Sequence, residues 1–137
     1  WQQTYIRARL EPFEQGKTLI DLAPKAVEGL VGSKATPEGI VAAVADMQRI
    51  ADETFKTSVV TLLLFDRRDN LPNIDIPTLL LVGSEDKNAP PKMMAKTATY
   101  IPNARFVEME GLGHIAHIEN PAVFNRELEK FLIEIEE

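Results

Sequence analysis

Through the first half of the chain, apolar residues recur at helical spacing. Trp1, Tyr5, Ile6, Leu10 and Phe13 fall on one helical face, and Gly16 closes that segment. Between Thr18 and Val31 the pattern is patchier, and Pro24 is expected to open a short helix that stops near Gly29 or Gly32. Thr36-Pro37-Glu38 supplies an N-cap, a first-turn proline and a first-turn acid. Ile40, Val41, Val44, Met47 and Ile50 then make an apolar stripe. Asp52 is expected to be the next N-cap, ahead of a stripe of Phe55, Val59, Leu62, Leu63 and Phe65. A charged loop, Asp66-Arg67-Arg68-Asp69-Asn70, ends the helical half.

Beyond residue 70 the period changes. Ile76 to Gly83 is a continuous apolar run cut by glycine, the form taken by a parallel strand covered on both faces. Pro90-Pro91 permits a helix start, with Met93, Met94, Thr97, Ala98 and Ile101 as its expected buried face. Ala104 to Met109 is a second, more mixed strand, and Asn120-Pro121 starts a closing helix striped by Val123, Phe124, Leu128, Phe131, Leu132 and Ile135. Strand, helix and strand over residues 77–109 make a βαβ unit whose right-handed crossover sets the two strands parallel. The loops after both strands then leave from the same sheet edge, where α/β proteins place their ligands. One loop carries Glu85 and Asp86, the other His114. Neighbouring strands lie about 4.8 Å apart, so a carboxyl group and an imidazole on these loops come within hydrogen-bonding reach. Such a pair orients the ring and leaves its other nitrogen to act as general base and then general acid.

Composition narrows the classes further. The chain has 137 residues, with 15 Lys and Arg against 21 Asp and Glu, a net charge of −6 that argues against nucleic acid and anionic membrane as partners. No apolar run is long enough for a transmembrane helix. The absence of cysteine excludes a thiol nucleophile and a zinc-thiolate site, and His114 and His117 alone make a multi-histidine metal site unexpected. We therefore expect neither cofactor nor metal. His117 is expected to be structural or exposed, and Glu85 solvated. Phe13, Leu30, Met47 and Phe55 are weak candidates for lining a substrate pocket, with a helix-helix core the simpler role.

Leu79 to Asp86, Pro90, Gly111-Leu112-Gly113-His114, Glu119-Asn120-Pro121 and Phe124 together resemble the C-terminal third of an α/β-hydrolase. Phe65 to Ile74 is similar to the corresponding stretch of 3-oxoadipate enol-lactonases and related ester and C–C bond hydrolases. The resemblance implies that Gly83-Ser84-Glu85-Asp86 supplies the triad acid, Asp86, and that His114 is the triad base; the two lie 28 positions apart. It implies an α/β fold made of a helical cap over residues 1–70, then the end of the hydrolase core over residues 71–137 as a parallel βαβ unit and closing helix. A small ester, lactone or C–C substrate follows from the same resemblance, and the lack of cysteine with only two histidines fits an intracellular hydrolase, so a cytoplasmic location is expected.

The nucleophile elbow Gly-x-Ser-x-Gly does not occur in this sequence. Its serines are Ser33, Ser58 and Ser84, and none has the required neighbours. The expectation is an inactive fragment, cut at Trp1, that supplies acid and histidine to a nucleophile carried on an N-terminal half. A non-catalytic interaction module retaining a hydrolase remnant is the alternative. A fragment of this kind leaves one edge of the Thr78–Val82 strand unpaired, so self-association through that edge or through exposed helix faces is also expected.

Overall fold

The computed structural model describes residues 2–136, without the side chains of residues 2, 63 and 64. The expectations for Trp1 and for the Leu63 side chain therefore lie outside the described residues. Four helices come first: α1 (Gln2–Glu14), α2 (Leu19–Glu28), α3 (Pro37–Gln48) and α4 (Asp52–Leu64). A 3-10 turn at Arg68–Asn73 takes the place of the expected charged loop. Then follow β1 (Thr78–Gly83), α5 (Pro91–Ala98), β2 (Ala104–Met109), a one-turn α6 (Ala116–Glu119) and α7 (Pro121–Glu136).

The two strands are parallel, in register from Thr78 opposite Ala104 to Gly83 opposite Met109. Leu80 and Val82 are buried on one face of β1. Leu81, on the other face, joins Val123 and Phe124 of α7 around the buried cluster of Met109, Leu112 and Ala116. Helix α5 crosses between the strands and packs on both. Asn120 caps α7 through its side-chain oxygen, which accepts from the Val123 amide at 3.3 Å.

The helical half departs from the sequence expectation in several places. Pro24 lies inside α2 instead of opening it. A proline there leaves the carbonyl four residues back without its helical donor, and the Gln48 amide supplies one, donating to the Ile20 carbonyl at 3.0 Å. Asp52 is the first residue of α4, with Ala51 at the N-cap. Its carboxyl instead accepts from the Leu19 amide at the start of α2, at 2.9 Å. The buried face of α3 is Gly39 and Ala43, while Ile40, Val41 and Ile50 are exposed. A side-chain carbon on Gly39 would stand 2.3 Å from the Ile118 carbonyl, so close approach to α6 selects small residues over large apolar ones. Leu62, Phe65 and Met93, expected inside, are exposed as well.

Candidate active site

The loops leaving β1 and β2 stay joined after the strands end. The Ser84 amide donates to the Met109 carbonyl at 2.9 Å and the Glu85 amide to the Leu112 carbonyl at 2.9 Å. The Ser84 hydroxyl accepts from the Gly111 amide at 2.8 Å. Ladder bonding is thus carried two residues beyond the sheet. Gly83 allows this, because a side-chain carbon there would meet the carbonyl oxygens of Leu112 and Gly113 at 2.1 and 2.3 Å.

At the end of this joined segment Asp86 meets His114. Nδ1 of the ring lies 2.9 Å from Asp86 Oδ2. The Asp86 side chain is 5% exposed and the His114 side chain 42%, so the acid is closed in while the imidazole opens to solvent. The second carboxyl oxygen, Oδ1, accepts from the amides of Asn88 at 2.8 Å and Ala89 at 2.9 Å. Burial is the largest single influence on the Asp86 carboxyl and pushes it up. The Ala89 amide, the His114 ring and the Asn88 amide outweigh it together, and the carboxyl is held below its ordinary 3.8. An ionised Asp86 makes Nδ1 the donating nitrogen and turns the lone pair of Nε2 outward.

This has a measurable consequence. A carboxyl whose folded pKa is depressed contributes stability that is present above its unfolded value and lost as pH falls through the folded one. The urea midpoint difference between the unsubstituted chain and Asp86→Asn is expected to shrink as pH falls below 3.8. A difference that grows as pH falls below 3.8 contradicts the assignment of charge to Asp86.

Glu85, expected to be solvated, is exposed, yet it also accepts from the Ser33 amide at 2.9 Å and from the Ser33 hydroxyl. His117 is exposed and sits edge-on to Phe124, with ring centroids 5.9 Å apart. Of the pocket candidates, Phe13 and Phe55 pack ring against ring at 5.8 Å between α1 and α4. Leu30 reaches the site through its backbone, as its carbonyl accepts from the His114 amide at 2.7 Å.

Sequence reasoning gave no role to Glu119, which is fully buried. Its carboxyl oxygens accept from the amides of Gly32 at 2.8 Å, Gly113 at 2.8 Å and Ile115 at 3.0 Å. Its signals in the chain were the resemblance carried by Glu119-Asn120-Pro121, which assigns the acid no role of its own, and a place before a helix start, where a solvent-facing acid would look the same.

Comparison with known proteins agrees with this architecture. Residues 5–121 match the family described as alpha/beta hydrolase fold. The protein of Azorhizobium caulinodans named "Putative carbamate hydrolase RutD" is 34% identical over 85 residues, which cover 62% of this chain and 32% of that protein. A thermophilic esterase from Thermogutta terrifontis superposes with a TM-score of 0.78 at 23% identity, over 98% of this chain and 50% of the esterase. The enol-lactonase from Burkholderia xenovorans gives 0.74 at 24% identity, over 97% of this chain and 50% of that protein. This chain thus spans about half the length of these solved structures and about a third of the curated relative. Two parallel strands carrying an acid and a histidine on one edge, and a family match over most of the sequence, lead to one conclusion: the chain belongs to the alpha/beta hydrolase fold family.

Proposed function

We propose that this chain supplies the triad acid, Asp86, and the triad base, His114, of a serine-type hydrolase. The nucleophile would be carried by polypeptide outside this sequence. The observation that carries the reading is the 2.9 Å contact between a closed-in carboxyl and one nitrogen of a solvent-facing ring. In this reading residues 1–70 are the cap and residues 71–137 the end of the catalytic core. As the serine oxygen bonds to the substrate carbonyl carbon, its proton passes to Nε2 of His114. The same proton then goes to the departing alcohol, amine or carbon, and water repeats the cycle to release the acid. Ester, lactone, carbamate and C–C bond substrates all fit that sequence of steps.

The missing elbow favours the competing reading of a non-catalytic module, and one assay separates the two. The chain is combined with a nucleophile-bearing N-terminal half, and release of p-nitrophenol from p-nitrophenyl esters and carbamates is followed. Activity that appears only on combination, and that a serine-directed phosphonate removes, is the expected result. A complex that forms yet hydrolyses none of these substrates, nor a lactone or C–C bond substrate, contradicts the proposal.

The same reading predicts how the chain behaves alone. Among the described residues β1 pairs with β2 only, leaving its other edge open. Val41, Leu62, Phe65 and Ile76 are each more than 60% exposed. An open apolar strand edge is an association site. Sedimentation is expected to show concentration-dependent self-association, and a stable monomer at micromolar concentration would count against it. Among the described residues no helix is long and apolar enough to cross a membrane.

A further inference from the structure

Glu119 is a large acidic side chain with no exposure to solvent, placed five residues after the histidine. Both of its oxygens are used. Oε2 accepts from Gly32 and Gly113, each at 2.8 Å, and Oε1 accepts from Gly113 at 3.1 Å and Ile115 at 3.0 Å. The bonded amides are those immediately before and after His114, plus one from the segment between α2 and α3. That segment meets the histidine loop along its length. Besides the bond from the His114 amide to Leu30, the Lys34 amide donates to the Gly111 carbonyl at 2.8 Å and the Thr36 amide to the Glu119 carbonyl at 2.8 Å. Contact is so close that a side-chain carbon on Gly113 would stand 2.2 Å from the Leu30 carbonyl.

We propose that Glu119 is a positioning residue for His114: its carboxyl group sets the backbone on both sides of the imidazole-bearing residue and fixes that loop to the α2–α3 segment. Loss of the group would leave three amides without their acceptor. The ring would then lose its fixed approach to Asp86 even though neither ring nor acid had been altered. The functional weight of this role rests on the reading of His114 as the triad base, whereas the geometric role does not.

A carboxyl is needed, not merely a polar group. In Glu119→Gln one accepting oxygen becomes an NH2 donor, so Gln can serve only part of the set. The test is NMR of the nitrogen-labelled chain. In Glu119→Gln, exchange of the Gly32 or the Ile115 amide, whichever faces the new NH2, is expected to quicken at least about tenfold, and the hydrogen-bonded Nδ1 proton of His114 to broaden away. Amides of the β1–β2 ladder should keep their protection. A folded Glu119→Gln chain that retains the Nδ1 proton signal, or native exchange at both amides, overturns the proposal.

If the variant loses the ladder as well, the unsubstituted chain decides. On stepwise addition of urea below the unfolding transition, the Nδ1 signal should vanish together with protection at Gly32, Gly113 and Ile115. Persistence of the signal after those amides have opened overturns the proposal. Every readout is spectroscopic, so a finding that hydrolysis does not need His114 would remove the catalytic reading and leave this result standing on its own.

Discussion

Replacing His114 by alanine in the assembled hydrolase is expected to lower kcat by about 10⁴-fold or more, with KM little changed. The ring does no binding work in this account. In the proposed function it would take a proton as the nucleophile attacks and return it to the leaving group, so its loss would fall on the chemical step. Residual turnover would come from whatever stabilises the oxyanion in the other half. His117→Ala is the matched control, because His117 is exposed and contacts Phe124 rather than an acid. Rates of p-nitrophenyl ester hydrolysis under saturating substrate check both. Equal activity of His114→Ala and the unsubstituted protein would end the assignment.

Gly83→Ala is expected to cost about 3 kcal/mol of stability, by overpacking and by the loss of bonds between the loops. The new methyl would lie 2.1 and 2.3 Å from two backbone oxygens, neither of which can swing aside as a side chain could. To make room the Asp86 loop must part from the His114 loop, breaking the 2.9 Å bond from the Glu85 amide to the Leu112 carbonyl. Gly29→Ala supplies the contrast. Its nearest neighbour to an added carbon is at 3.4 Å and its φ is −79°, so that substitution should change stability by no more than about 1 kcal/mol. Urea midpoints for the two variants measure the difference. A Gly83→Ala protein as stable as Gly29→Ala would mean the loops are not held as described.

The placement of the acid beside the histidine was legible from sequence because handedness leaves little choice. Once Ile76–Gly83 and Ala104–Met109 are strands with one helix between them, their following loops share an edge. β2 has the bounds expected, Ala104–Met109, and β1 begins two residues inside the apolar run. What sequence did not reveal depends on partners distant along the chain. Pro24 is tolerated inside α2 because Gln48 bonds the carbonyl it orphans. The inward face of α3 is glycine and alanine because another backbone lies against it. Glu119 gives the sharpest case. Local pattern treats an acid near a helix end as a surface residue, whereas its carboxyl group is bonded by Gly113 and Ile115 of its own loop and by Gly32, 87 positions away.

The central claim is that Asp86 and His114 act as one acid–base unit, and a double-mutant cycle on hydrolysis tests it most directly. The rates to compare are those of the unsubstituted assembled protein, Asp86→Ala, His114→Ala and the double variant. Residues that work only through each other are strongly non-additive. The account predicts that the double variant is no slower than His114→Ala alone. Losses that multiply, with the double variant slower by the product of the two single effects, would contradict it.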